Sequence, residues 1–327
     1  MRGITLLVAA LALVAPAGAQ EYTWTADRPD GVAPVGISTD RTLAGGALEV
    51  AYRFARMEAI GLKFGNQPFS EGDALDLFTF VPLERASEAH IVTVGLGLTD
   101  AITLSGTGAW VMKTRTAANE EVFFSNESSG FSDAEVDALW QVHASGPWRG
   151  QLQMGVVIPT GSIEQEGDFP AFDEVVAMTD AQLPYDMQIG SGAWALVPGL
   201  GAQVMNQFGS VGAQVRAYFP LADNDRGWRP GNRVDGRAWL AYRFNDFVSA
   251  SGGVRATAFS SIQGADPDLE TLRDPGDLAL SFAGERVDLP LGLNLRITEG
   301  PLAGHRLGIE AVWTVHEEFD GPSVTSD

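Results

Sequence analysis

Residues 284–297 read Gly-Glu-Arg-Val-Asp-Leu-Pro-Leu-Gly-Leu-Asn-Leu-Arg-Ile, and this stretch decides the fold. Its apolar side chains from Val287 to Ile297 share one parity, whereas Arg286 and Asp288 fall on the other. A period of two over this length predicts a β-strand with one apolar and one polar face. The same alternation recurs in three further segments, which are residues 131–142, 233–244 and 305–316, the last with Arg306, Glu310 and His316 on its polar parity.

Counting such segments along the chain predicts eleven strands. They lie near residues 46–57, 87–98, 101–113, 131–144, 149–159, 188–206, 211–220, 233–244, 247–262, 284–297 and 305–318. Strands of about ten residues or more suit a tilted membrane crossing better than a soluble sandwich. Short turns also alternate with long acidic loops, at 58–86, 114–130, 160–187, 221–232 and 263–283. This layout favours an all-β, antiparallel up-and-down transmembrane β-barrel over the sandwich.

Two irregularities are expected in this barrel. Single-chain bacterial barrels have even strand counts, so eleven visible strands imply an expected twelve. After Val315 the chain is polar and broken by Gly321-Pro322, so we expect that the closing strand is missing and that the first and last strands keep unpaired edges. Pro290 lacks a backbone N–H, so we also expect a bulge or a hydrogen-bond gap at 289–291.

The composition and the N-terminal residues indicate the cellular compartment and exclude some partners. Lys and Arg number 21 against 42 Asp and Glu, and a net charge of -21 argues against a nucleic-acid partner. The absence of cysteine excludes a disulfide framework and a thiolate site. Residues 1–19 combine Arg2, an apolar stretch and Ala17-Gly18-Ala19, which is typical of a secretory signal peptide. We expect residues 20–45 to form an N-terminal periplasmic segment and 46–327 a barrel with long acidic extracellular loops, in the outer membrane of a Gram-negative bacterium.

Several sequence blocks are shared with a known family. The longest is 183–200, Leu-Pro-Tyr-Asp-Met-Gln-Ile-Gly-Ser-Gly-Ala-Trp-Ala-Leu-Val-Pro-Gly-Leu, and the others are 30–36, 159–163, 224–227, 264–267 and 300–307. Over nearly the whole chain after residue 19, they resemble outer-membrane transporters of the phenol meta-degradation pathway family. The resemblance implies an outer-membrane barrel. It also implies aromatic solutes, and this second expectation rests on the resemblance alone. Relatives are His-rich around 31–43, where this chain has no histidine, so no metal role is carried over.

The polar parity of the strands supplies the candidate site. In a barrel whose apolar parity faces lipid, the other parity lines the lumen. The candidate lumen-lining residues are Glu49, Arg53, Asp133, Glu135, Asp137, Arg216, Asp235, Arg237, Arg243, Arg255, Arg286, Asp288, Arg296, Arg306 and Glu310. They either pair across strands as a structural network or line a path that selects solutes by charge.

The loops and strand ends carry weaker signals. Asp266, Asp268, Glu270, Asp274 and Asp277 could bind a divalent cation, but Thr271 stands where a calcium loop needs Gly, which favours solvated loop charge. Aromatic residues near strand ends are expected to form an interfacial girdle, and these are Trp140, Trp148, Phe219, Trp228, Tyr242, Phe244 and Trp313.

No catalytic motif stands at a fixed spacing, and the four histidines are scattered, so we expect no enzyme activity, no catalytic residues, no metal site and no cofactor. The predicted function is an outer-membrane channel or transporter for small solutes. The alternative is a non-conducting barrel that serves as a membrane anchor or a surface-binding protein. The expected partners are outer-membrane lipids, a small-molecule solute and the outer-membrane assembly machinery.

Overall fold

Eleven long antiparallel strands, each paired with the next along the chain, form one sheet in a computed structural model that describes residues 22–119, 121–171 and 176–325. The signal peptide predicted for residues 1–19 lies outside these ranges. The strands are β1 (Leu48–Ile60), β2 (Val81–Thr99), β3 (Ile102–Ala118), β4 (Ala134–Ser145), β5 (Trp148–Ile158), β6 (Ala195–Met205), β7 (Gly209–Pro220), β8 (Arg233–Arg243), β9 (Val248–Phe259), β10 (Gly284–Arg296) and β11 (Arg306–Val324). All eleven predicted strands are confirmed, within a few residues at most ends.

Each strand alternates between two environments. On β10, Leu289, Leu291, Leu293 and Leu295 are 41 to 55% exposed, whereas Asp288, directly before them in the strand, is 1% exposed. Residues that lie opposite each other on neighbouring strands belong to the same face of the sheet. Leu291 lies opposite Ala311 on the apolar face, and Asp235 lies opposite Arg216 on the polar face. The sheet therefore carries an exposed apolar face and a covered polar face, which is the distribution of a membrane barrel.

The connections differ at the two ends of the sheet. Short turns join β2 to β3, β4 to β5, β6 to β7 and β8 to β9, as the sequence predicts. The long loops hold the short elements, which are Leu62–Gly65, Gln67–Phe69, the helix α1 (Glu71–Leu75), Phe123–Phe131, Glu166–Phe169, Met178–Gln182, Trp228–Arg229, Gln263–Gly264 and the 3-10 turns Tyr185–Met187, Pro275–Asp277 and Ala279–Phe282. Among the residues described, no helix is long and apolar enough to cross a membrane.

The two edges of the sheet meet at the end that carries the long loops. The strand Leu62–Gly65, which follows β1 after Gly61, pairs with residues 319–324 of β11. Thr325 extends this contact, because its N–H donates to the carbonyl of Gly61 over 3.1 Å. Within the described chain, no pairing joins residues 48–59 to 306–318, where unpaired edges were expected.

Pro290 interrupts the wall of the barrel as predicted. The ladder between β9 and β10 pairs Gly252 with Leu291 and then Arg255 with Asp288, and the two positions between them are unpaired. On the other side of β10 the ladder runs through Pro290, and a register shift follows between Val287 and Asp288. The proline therefore leaves a hydrogen-bond gap on one side of its strand, because it has no N–H to donate there.

Candidate functional site: the polar interior

The polar face of the sheet surrounds the segment that precedes β1. Residues of 22–47 make hydrogen bonds or ion pairs with side chains of β1, β3, β4, β5, β6, β7, β8, β10 and β11. A short segment can reach strands from one edge of the sheet to the other only if the sheet curves around it. The polar face is therefore the inner face of the barrel, and the N-terminal segment lies inside. The sequence placed this segment in the periplasm and contained no pattern that could locate it further.

Backbone carbonyls hold the N-terminal segment. Arg53 Nη1 donates to the carbonyl of Val35 over 3.2 Å, and Gln151 Nε2 donates to that of Thr39 over 2.6 Å. Further donations run from Arg237 to Gly36, from Gln214 to Ser38 and Thr39, from Arg306 to Ala26 and Arg28, and from Ser210 to Asp30. The side chains of the wall thus bind the segment mainly through its main chain.

Residue 36 must be a glycine because its main chain lies very close to the side chain of Glu310. A Cβ atom at this position would lie 2.3 Å from Oε1 of Glu310, far inside van der Waals contact. The Gly36 main chain also contributes a hydrogen bond to the Glu310 carboxylate. Residue 36 thus binds to the wall through both its N–H and its carbonyl, and glycine fits there because it adds no side chain.

Three ionic groups account for most of the other candidate lumen-lining residues. Arg216 on β7 contacts Glu135 and lies 3.3 Å from Asp137, both on β4. Asp235 on β8 accepts from Arg237 over 2.6 Å and from Arg255 over 2.8 Å. The third group contains Arg286, Asp288 and the additional residue Glu317, with Arg286 Nε 3.2 Å from Asp288.

The remaining candidates lie in other surroundings. Asp133 accepts from the backbone N–H of Gly161 and of Ser191, at 3.0 and 2.8 Å, which ties β4 to the long loop of 159–194. Arg243 pairs with Asp246 in the turn between β8 and β9. Five others contact the N-terminal segment, and these are Glu49, Arg53, Arg296, Arg306 and Glu310. The structure therefore distributes the candidate residues over several contacts and does not gather them in one cluster.

A small cavity separates the N-terminal segment from the wall. Its volume is about 60 Å³, and its lining includes Gly36, Arg237, Trp239, Ser251, Arg255 and Glu310. Pro290 and Val312 lie on its wall beside the gap in the ladder. Trp239 is 5% exposed, and its indole Nε1 has no hydrogen-bond partner among the described residues. The cavity is thus lined by polar donors that the protein leaves partly unused.

The long loops cover one end of the barrel, and we name residues 160–194, 221–232 and 260–283, without the undescribed 172–175, the loop cap. One apolar cluster contains Phe80, Phe169, Leu183 and Met187, and a second is centred on Trp228. The Trp228 ring lies edge-on 4.9 Å from Tyr185. The prediction that Trp228 belongs to an interfacial girdle is therefore wrong, because distant loop residues bury it to 3% exposure.

Buried ion pairs join the loop cap to β2 and β3. Arg115 pairs with Asp274, and both side chains are 0% exposed. Arg85 Nη1 lies 2.9 Å from Asp186 Oδ2. Within the loop cap itself, Arg273 Nε lies 2.7 Å from Asp277 Oδ2. Asp266, likewise buried, accepts from Arg226. The interpretation of this acidic loop as solvated charge is therefore wrong for Asp266, Asp274 and Asp277.

Two of the buried loop-cap carboxylates, Asp186 and Asp277, have pKa values shifted in opposite directions. Burial raises the pKa of Asp186, but the nearby cations Arg85, Arg115 and Lys113 outweigh it and hold the pKa below its ordinary value. Burial raises the pKa of Asp277 to about 6, more than its partner Arg273 lowers it. A pKa depends on the balance of desolvation against neighbouring charge, and the two sites fall on opposite sides of it.

One group of side chains on the outer face could hold a cation. Ligand atoms of Glu285, His316 and Glu318 lie within 4.8 Å of one another, with His316 Nε2 3.5 Å from Glu285 Oε1. The sequence analysis placed His316 on the polar, inward parity, and this prediction is wrong. The register shift between Val287 and Asp288 places His316 opposite Val287, whose side chain points outward. Imidazole and carboxylate ligands suit zinc. Two of the three side chains are exposed.

The fold is similar to that of a solved outer-membrane protein. No protein-family model matches the chain, and no curated protein matches it. The crystal structure of an outer membrane channel from Pseudomonas putida F1 superposes with a TM-score of 0.60 at 14% sequence identity. The match covers 89% of this chain and 94% of the channel. The chain therefore has the fold of an outer-membrane β-barrel.

Proposed function

We propose that the protein is a channel in the outer membrane of a Gram-negative bacterium, through which small solutes pass. The observation that carries the proposal is the contrast between the two faces of the sheet. The outer face presents leucines such as Leu291 and Leu293 to the surroundings, and the inner face presents charges of both signs. A barrel with an apolar exterior is stable in lipid, and a polar interior can hydrate a solute on its way.

The content of the interior also supports this function. Barrels with an inert interior are filled by packed side chains, but here much of the interior is occupied by the N-terminal segment. Hydrogen bonds to the segment's carbonyls, together with two ion pairs, and not an apolar core, fix it there. Such bonds exchange readily with water, so a solute and its hydration shell can replace them at small net cost.

The finer part of the proposal concerns the solute. The resemblance to transporters of the phenol meta-degradation pathway family supports aromatic compounds. Liposome swelling with benzoate and with cyclohexanecarboxylate, which share charge and approximate size, isolates the aromatic contribution. Faster swelling with benzoate supports an aromatic substrate, and equal rates contradict it.

The occlusion of the barrel favours one alternative. The N-terminal segment lies in the interior and the loop cap covers one end, so the protein could be a non-conducting barrel that anchors or binds at the surface. Outer-membrane lipids and the barrel assembly machinery are partners under either function, whereas a small solute is a partner of the channel alone.

Single-channel recording in a planar lipid bilayer separates the two functions. We expect discrete openings after insertion of the purified, folded protein. Folding is verified separately by the change in electrophoretic mobility on heating. A barrel that is folded and inserted but never opens would contradict the channel and leave the anchor.

A further inference from the structure

We propose that the cavity beside the N-terminal segment is a binding site for a carboxylate group of a solute. The inference deepens the proposed function and rests on it, since it assigns a chemical class to the solute of the same interior. Three features carry it, namely the charge around the cavity, the present partners of its donors and an unused indole N–H.

The charge around the cavity is positive by one. Arg53, Arg237 and Arg255 face two carboxylates, those of Asp235 and Glu310. Asp235 is shared by two of the arginines, with Oδ1 2.6 Å from Arg237 Nε and Oδ2 2.8 Å from Arg255 Nε. Arg53 has no carboxylate within salt-bridge distance among the described residues. One further negative charge would therefore balance the group.

Two guanidinium nitrogens around the cavity donate to neutral acceptors. Arg53 Nη1 donates to the carbonyl of Val35, and Arg237 Nη1 donates to that of Gly36. Arg53 Nε is buried and has no partner within the described chain. A guanidinium binds a carboxylate more strongly than an amide carbonyl, because both partners are then charged and two parallel hydrogen bonds can form. A carboxylate that enters the cavity can thus compete with the two carbonyls.

The indole of Trp239 adds a donor that the protein does not use. It lines the cavity with Arg237 and Arg255, and Gly212 on β7 leaves room for its ring, since a Cβ there would lie 2.1 Å from the indole. A buried N–H without an acceptor costs free energy, because it has lost its hydrogen bond to water without gaining another. A carboxylate oxygen that accepts from this N–H removes the cost on binding. The site would therefore combine guanidinium and indole donors around one small anionic group.

The test uses acetate and its neutral isostere acetamide, with the full chain in detergent micelles at constant ionic strength. The indole ¹H–¹⁵N resonance of Trp239 is identified by its loss in Trp239→Phe. We expect acetate to shift this resonance to saturation, and acetamide at equal concentrations to shift it less than about a tenth as far. Equal shifts from the two probes, or no shift from acetate, overturn the proposal.

Variants then locate the anion. Arg53→Gln and Arg237→Gln each remove one donor and should weaken acetate binding about tenfold or more, the usual effect of losing a charged hydrogen bond. Arg229→Gln is the matched control, since Arg229 pairs with Asp223 in the loop cap and does not line the cavity. If Arg229→Gln weakens acetate binding as much as Arg53→Gln does, binding reflects overall charge and the proposal fails.

The outcome is independent of conduction. A barrel that binds acetate and never opens would contradict the channel while the binding site stands. A barrel that opens in the bilayer and does not distinguish acetate from acetamide would leave the channel and overturn the site.

Discussion

A charge placed on the outer face of β10 tests the membrane orientation. Leu291 lies midway along the strand, is 55% exposed and belongs to an apolar stripe with Leu289 and Leu293. Leu291→Arg places a guanidinium in the hydrocarbon layer, at a cost of roughly 2–4 kcal/mol near the midplane of the bilayer. Since about 1.4 kcal/mol corresponds to a tenfold change in an equilibrium constant, the ratio of folded to unfolded protein falls about 30-fold to about 700-fold. Equilibrium urea titration of folding into lipid vesicles measures this change in the free energy of unfolding.

Two controls separate lipid exposure from the loss of a leucine. Leu272, in the loop cap, is 68% exposed and is not part of a strand, so Leu272→Arg should change the free energy of unfolding by less than about 0.5 kcal/mol. Asn294→Arg, on the inner face of β10, should also be tolerated. If Leu291→Arg costs no more than these two, the outer face does not contact lipid and the reasoning is refuted.

Two substitutions and one titration test the interior and the loop cap. Arg216→Leu leaves Asp137 buried without its cation and should cost about 3–5 kcal/mol in the same vesicle titration, and a loss below 1 kcal/mol would contradict a structural role for the pair. Gly212→Ala drives a Cβ into the Trp239 ring and should destabilise the barrel, whereas the double variant with Trp239→Ala should recover part of the loss. The pKa of Asp277 should be about 6 by carbon NMR of its carboxyl. This pKa is raised above the unfolded value, so the folded protein binds the proton more tightly than the unfolded chain does. This group alone therefore makes the fold more stable as pH falls from 7 towards 4. A titration midpoint below 4 would contradict the desolvation of Asp277.

The strands were predictable because each contains its own evidence. The alternation of β10 is complete within 284–297 and needs no information from elsewhere, so strand number, order and the short turns follow from local pattern. Pro290 belongs to the same class, since the missing N–H is a property of the residue itself. Faces and irregularities that depend on one strand at a time can therefore be read from the sequence.

The contents of the barrel were not predictable, because they depend on residues far apart in the chain. The partner of Arg115 is Asp274, 159 positions away, and neither residue lies in a pattern that indicates the other. Trp228 has the sequence context of an exposed loop, and Tyr185 buries it from another loop. The N-terminal segment has no periodicity, since the wall binds its carbonyls, which every residue has. Such contacts leave no trace in composition or spacing.

The N-terminal segment has a consequence for the order in which the molecule assembles. Arg306 binds the carbonyl of Ala26 across 280 positions of sequence, and Arg296 pairs with Asp27 across 269. Contacts with such long sequence separation are slow to form, because the chain entropy of closing the loop must be overcome before any bond compensates for it. The segment can reach its final partners only after β11 has been laid against β10. The N-terminal segment is synthesised before the strands but is thus among the last parts of the barrel to become ordered. Protection of its amides from hydrogen exchange should therefore mark the completion of the barrel.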